Sequence, residues 1–156
     1  MEGKIELKEQ PSQAILGLRS RTSIERIAEE IGKGYGALFG YLGELGEPPA
    51  GAPFALYYGE DFDPNDIDME LCVPTARVLE GKGDIDAREL PGGLAVFTIH
   101  KGPYDQMTAT YEKLDAWVKE NGYKYAGPAR EAYLNDPSQV DIADLLTEVS
   151  FPVAKS

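Results

Sequence analysis

Three residue types that often carry site chemistry are almost missing from this 156-residue chain: it has one cysteine, one histidine and one tryptophan. Cys72 alone cannot close an internal disulfide, and a reducing, cytoplasmic setting is the simplest expectation. With His100 as the sole histidine and no nucleophile motif, a Ser-His-Asp arrangement has no basis. No Cys/His/Asp cluster stands at metal spacing, so neither a metal nor a cofactor is expected. His100 itself, at the end of an apolar run, reads as a structural side chain. Basic residues are also short. Fifteen Lys and Arg stand against 27 Asp and Glu, a net charge of -12. That balance excludes the basic footprint of a duplex-binding domain, so direct nucleic-acid contact is not expected. It suits solubility, cationic ligands or a basic protein surface. No apolar run approaches the roughly 18 residues of a membrane span. The opening "MEGKIELKEQ" is charged and has no apolar leader core. The glycine-rich "GKGYGALFG" lacks the Gly-Lys-Ser/Thr ending of a phosphate loop.

What is present is an order of elements that occurs twice. "SQAILGLRS" reads as a strand. "TSIERIAEEIGKGYGALFGYLGEL" follows as a helix with Ile24, Ile27, Ile31, Leu38 and Leu42 at a 3.6-residue period, and Thr22 with Glu25 forms a possible capping box. "APFALYY" and "DIDMELCVPT" are two more strands. The second half runs "GGLAVFTIH", the helix "GPYDQMTATYEKLDAWVKENG", "PAREAYL" and "LTEVSFPV". Its helix has Pro103 suited to the first turn, Gly122 to the C-terminal cap, and Tyr104, Met107, Tyr111, Leu114 and Val118 as its apolar stripe. "EGKGDIDARELPGG" reads as a linker inside a single domain, with repeats spanning about 4–78 and 84–154. Without gaps, Tyr57 aligns with Tyr133 and Gly51 with Gly127; further on, Glu70 aligns with Glu148 and Pro74 with Pro152. The expectation is an α+β fold of two β-α-β-β units with pseudo-twofold symmetry, one antiparallel sheet, and both helices on one face.

The alternation within strands assigns faces. Phe54, Leu56 and Tyr58 form the apolar set and are expected to pack on the helices. By the same register Arg130, Ala132 and Leu134 take the helix side, leaving Glu131 and Tyr133 on the open, more polar side. In "GPAREAYLNDP", Glu131 stands where the first half has Ala55. A requirement of the repeat itself would place the same residue in both halves. Glu131 therefore reads as specific to one half, against the plainer alternative of a surface glutamate paired with Arg130 or Lys124. Gly32, Gly36 and Gly40 recur every four residues on one helix face, which suits either close approach of a partner or a frayed helix end.

"HKGPYDQMTATYEKLDAWVKENGYKYAGPAREAYLNDP", followed by "TEVSFPV", resembles the GyrI-like small-molecule-binding domain, which also serves as the effector-binding module of AraC-type and MerR-type regulators. The resemblance covers nearly the whole chain, and residues 100–137 carry its most specific stretch. It implies a ligand cleft between the repeats, a preference for cationic or aromatic compounds, and a cleft carboxylate that falls on Glu131. No helix-turn-helix region precedes Ile5, so a standalone form is expected.

The candidate ligand-binding residues are Glu131, Tyr133, Tyr57, Trp117, Tyr111, Glu70 and Glu148. Tyr57 and Tyr133 are repeat-equivalent phenols suited to an aromatic cage. Tyr111 fits the helix core stripe. Trp117 reads as core or cleft rim, and the paired Glu70 and Glu148 as symmetric structural positions or cleft lining. Three functions stay open. One is a standalone binder of a small aromatic or cationic compound. Another is a hydrolase of strained cyclopropane-containing genotoxins, with Glu131 and Tyr133 as catalytic groups. The last is an acidic interaction module for a basic partner such as gyrase. A monomer is expected.

Overall fold

The computed structural model describes residues 4–58, 63–103, 106–135 and 139–155. Tyr104 of the expected stripe, and Asp136 and Pro137 of the expected turn, lie outside them. In chain order the elements are β1 (Glu6–Gln10), β2 (Gln13–Thr22), α1 (Ile27–Leu45), β3 (Phe54–Tyr58), β4 (Ile67–Pro74), β5 (Ile85–Leu90), β6 (Gly93–Lys101), α2 (Thr108–Glu120), β7 (Tyr123–Tyr125), β8 (Ala129–Tyr133) and β9 (Leu146–Lys155). Strand pairing is antiparallel throughout the described ladders, which gives the expected α+β class. Neither described helix is long and apolar enough to cross a membrane.

The chain divides into two compact units: a continuous one, Ser12–Pro91, and a discontinuous one made of the first 11 residues with Gly92–Ser156. The continuous unit orders its strands β3-β4-β2-β5 and carries α1. The discontinuous unit orders them β1-β6-β9-β8, with β7 on the far end of β9, and carries α2. Three of these strands were not evident from hydrophobic alternation. β5 lies inside the apparent linker, β1 is "ELKEQ", and β7 is the three-residue "YKY". Among the described ladders β1 and β5 each pair with one neighbouring strand, and charged side chains are what such strands carry to discourage further pairing.

The ladders of the two units share a register. Ile15 faces Pro74 and Arg19 faces Glu70; Ala95 faces Pro152 and Ile99 faces Glu148. Ala55 faces Leu71, and Glu131 faces Val149. A Cβ at Gly51 would touch Pro74, and one at Gly127 would touch Pro152.

The expected faces are reversed. Partners across an antiparallel ladder project to the same side. In the continuous unit Leu71 and Leu18 reach the backbone of α1 at Gly34, so Ala55 and Tyr57, in step with Leu71 and Met69, share the helix side. Phe54, Leu56 and Tyr58 take the other side with Glu70. In the discontinuous unit Val149 packs with Val96, Leu114 and Val118 under α2, so Glu131 and Tyr133 face the helix, not the open side. The physical reason is close approach. A helix whose Gly34 Cβ position lies only 2.3 Å from Leu71 Cδ1 leaves room directly beside Leu71 for a small residue, which is the fully buried Ala55.

Two helix details also differ from expectation. Thr22 ends β2 opposite Ile67, and α1 starts at Ile27 with no side-chain cap, so Thr22 and Glu25 form no capping box; Ile24 is 55% exposed. Gly122 does follow α2 with φ +75, the conformation expected of a helix-ending glycine.

The glycine stripe is open: a Cβ at Gly32, Gly36 or Gly40 would meet nothing within 4 Å, whereas one at Gly17 would meet Glu70 Oε2 at 2.3 Å. Gly36→Ala is therefore expected to stabilise the fold by about 0.5–1 kcal/mol. Gly17→Ala is expected to destabilise it by about 1–3 kcal/mol through overpacking. Urea-unfolding midpoints of both variants check this, and a rise for Gly17→Ala would contradict the close contact.

Candidate ligand site

In each unit one strand glutamate accepts a hydrogen bond from a tyrosine hydroxyl, Glu70 from Tyr58 and Glu131 from Tyr111, and the two are otherwise satisfied in opposite ways. Glu70 lies in the middle of β4, 2% exposed. Arg88 of β5 grips it with both terminal nitrogens, each 2.6 Å from one carboxylate oxygen. The Tyr58 hydroxyl donates a third bond at 2.6 Å. Gly17 of β2 leaves the space its carboxylate fills. Arg19 lies over the Tyr58 ring, 3.9 Å from its centroid, and pairs with Asp68. Burial alone would raise the Glu70 carboxyl; the hydrogen bonds from Arg88 and Tyr58 and the guanidinium charges outweigh it, and the group lies below its ordinary value. Its charge is matched inside the fold.

Glu131 sits at the centre of β8, half-buried, on the α2 side. The Tyr111 hydroxyl, one helical position on the core stripe, donates to its carboxylate. Tyr111 meets Phe151 edge-on with centroids 5.7 Å apart, and Phe151 in turn packs on Tyr125 at 4.9 Å. Burial pushes the Glu131 carboxyl above its ordinary value, and the Tyr111 hydrogen bond only partly opposes this. The described partner is a neutral phenol, where Glu70 has a guanidinium. No ion pair joins Glu131 to any described residue. Proximity to Arg130 in sequence does not help, since adjacent strand residues project to opposite faces.

The other candidates distribute as follows. Tyr133 shares the Glu131 face, opposite Thr147. Glu148 pairs with Ala132 and projects to the other face of the same strands. Trp117 packs against the core under α2 and stacks on Tyr123 at 5.6 Å with rings 15° apart. Tyr57 and Glu70 belong to the continuous unit, on opposite faces of it. His100 has both ring nitrogens engaged: Nε2 lies 3.0 Å from the Pro103 carbonyl, which can only accept, and Nδ1 lies 2.8 Å from Thr110 Oγ1. Two hollows, of about 440 Å³ beside Tyr41 and Lys82 and about 320 Å³ beside Glu70 and Arg88, both lie in the continuous unit, and neither is lined by Glu131. Sequence reasoning missed Arg88, Tyr58 and Gly17 as the frame of Glu70, because the guanidinium comes from a stretch that reads as linker. Thr147, buried beside Tyr133, was missed too.

The profile of the GyrI-like small molecule binding domain matches residues 3–154. The chain belongs to that family. Among solved structures, this GyrI-like domain is similar to EcmrR in a complex with DNA, at 28% identity and TM-score 0.84, over 98% of this chain and 58% of that one. The domain thus spans somewhat more than half of that chain's length. It is also similar to the separate C-terminal domain of EcmrR, at 27% identity and TM-score 0.79, over 98% of both chains. More distant in sequence are a hydrolase from Listeria innocua, 15% identical with TM-score 0.77 over 98% of this chain and 93% of that one, and SAV2435 bound to tetraphenylphosphonium, 14% identical with TM-score 0.67 over 97% and 94%. These two share the fold. No curated protein matches the chain.

Proposed function

We propose that this GyrI-like domain binds a small aromatic or amphipathic cation, with Glu131 as the counter-charge and Tyr111, Tyr133 and Phe151 as its apolar surroundings. The observation that carries this is the contrast between the two glutamates: Glu70 has Arg88, whereas among the described residues Glu131 has the Tyr111 hydroxyl and no ion pair. A half-buried carboxylate with no described cationic partner is costly to ionise, and a ligand cation offsets that cost. The rings beside it add attraction of about 0.5–2 kcal/mol per cation–π contact. Tyr111 holds the carboxylate in place until a ligand arrives. The tetraphenylphosphonium carried by SAV2435 is a compound of this class.

The test is calorimetric titration with tetraphenylphosphonium and with tetraphenylborate, an anion of the same shape. The cation is expected to bind and the anion not. A cation favours the ionised carboxylate, and Glu131 holds its proton above its ordinary range. Affinity should therefore climb as pH rises from that ordinary range through the raised value of the folded state, and then level off. Equal binding of both ions, or affinity that falls with pH, would refute the charge match. The same carboxyl beside a phenol could also serve as an acid or base on an electrophilic ligand. Product analysis of the titrated mixtures, repeated with Glu131→Gln, separates turnover from simple binding.

A further inference from the structure

A second polar group lies beside Glu131, and no described residue satisfies it. The Thr147 side chain in β9 is fully buried, and its Oγ1 has no hydrogen-bond partner among the described residues. Buried hydroxyls are nearly always bonded, so an orphan of this kind calls for an explanation. Its ladder neighbours are His100 on β6 and Tyr133 on β8. His100 is already engaged with Thr110 and Pro103. Glu131 faces Val149, two residues along β9 from Thr147, so the carboxylate and the hydroxyl are diagonal neighbours on the α2 side. Such positions stand about 7–8 Å apart at the backbone, a span that one donor group between two leaning side chains can bridge with hydrogen bonds of about 2.8–3.0 Å.

The matching ladder in the continuous unit sharpens the point. Tyr57 faces Met69 there as Tyr133 faces Thr147 here, and Ala55 faces Leu71 as Glu131 faces Val149. Ala55 and Met69 are both fully buried and apolar. At two diagonal positions, then, one unit has apolar side chains while the other has a carboxylate and a hydroxyl. The fold accepts apolar residues at both places, so the paired polar residues serve something other than packing.

We infer that Thr147 selects, within the cation class proposed above and resting on that reading, ligands whose positive centre bears N–H groups. A protonated amine can donate one hydrogen to the Glu131 carboxylate and another to Thr147 Oγ1. Quaternary ammonium and phosphonium centres carry charge but no donor, and leave Thr147 unsatisfied. Glu131 thus reads charge and Thr147 reads the proton on nitrogen.

The experiment titrates the full chain with anthracen-9-ylmethylammonium and with its N,N,N-trimethyl derivative, two cations on one aromatic frame. The wild type is expected to bind the primary ammonium about tenfold more tightly, the value of one charge-assisted hydrogen bond at the low end of its range. Thr147→Val keeps the side-chain shape and is expected to abolish that preference while leaving affinity for the trimethyl compound unchanged. Thr147→Ser keeps the hydroxyl and is expected to retain the preference; thermal melts confirm that both variants fold. Equal binding of the two cations by the wild type, or a preference that survives in Thr147→Val, would overturn the selection role while leaving cation binding intact. Failure of both cations to bind the wild type would overturn the cation site itself and this inference with it.

Discussion

Glu131→Gln is expected to weaken tetraphenylphosphonium binding by about 30-fold or more, corresponding to roughly 2 kcal/mol for removing the charge opposite a desolvated cation. The same substitution should make the unliganded protein more stable. Glu131 binds its proton more tightly in the folded state than in the unfolded chain, so the wild type loses stability as pH rises from the ordinary carboxyl range through the raised folded value, then levels off. Glutamine does not titrate. The stability gap between variant and wild type should open across that window and stay constant above it. Unfolding midpoints measured on both sides of the window, with calorimetry of the cation, check the two halves together. A variant that binds the cation as well as the wild type does would remove Glu131 from the site. A variant that gains affinity for neutral ligands while losing the cation would show a polarity exchange instead of a collapsed site. Lower stability in exchange for binding is the usual signature of a residue kept for function.

Arg88→Met has the opposite character and the larger effect on folding. It strips the bidentate partner from Glu70 and leaves a buried carboxylate with the Tyr58 hydroxyl alone. Breaking a buried pair from one side costs about 3–5 kcal/mol. Because 35% of the Arg88 side chain remains exposed, the lower end of that range is the expected loss. Adding Glu70→Gln in the same chain should restore most of it, since a neutral amide can still accept from Tyr58. Chemical denaturation of the single and double variants measures the coupling, and a double variant as unstable as Arg88→Met would rule out the unpaired charge as the cause. The pair also has a pH signature. Glu70 titrates below its ordinary value, so its contribution is fully present above the ordinary carboxyl range and is lost as pH falls through the lowered folded value.

The order of strands and helices was legible because periods of two and of 3.6 dominate "APFALYY", "GGLAVFTIH" and the α2 stripe. The faces were not. In β3 both alternating sets are apolar, so bulk alone pointed Phe54, Leu56 and Tyr58 toward α1. What decided the matter was Gly34, whose bare backbone lets the helix come down on Leu71 and leaves the small Ala55 on that side. Glu131, at the ladder position that matches Ala55, lies on the helix-covered face as well, which is why Tyr111, read as core, turns out to hold its carboxylate. β1 and β5 escaped notice because strands with a single neighbour carry charge where central strands carry Val and Ile. The Glu70–Arg88 pair joins residues from separate elements, a contact that spacing along the chain does not encode. The repeat comparison exposed Glu131 against Ala55 and contained Thr147 against Met69 as well. The second exchange is silent in the sequence because threonine is an ordinary strand residue; its meaning lies in a buried hydroxyl with no hydrogen-bond partner among the described residues.

The placement of β1 bears on how the molecule is made. This strand is synthesised before the other described elements, yet its partner β6 follows about 90 residues later. At roughly 5–20 residues per second on the ribosome, β1 waits several seconds with its backbone unpaired. Meanwhile all the strands of the continuous unit have already emerged by Leu90 and can form their ladders. The discontinuous unit closes last, because β9, which joins β6, β7 and β8, ends at Lys155. By Leu90 the strands of the continuous unit are present while β1 still lacks β6. Charge such as that in "ELKEQ" discourages a strand from pairing with a wrong neighbour, so the composition that hides β1 from pattern reading also suits this interval.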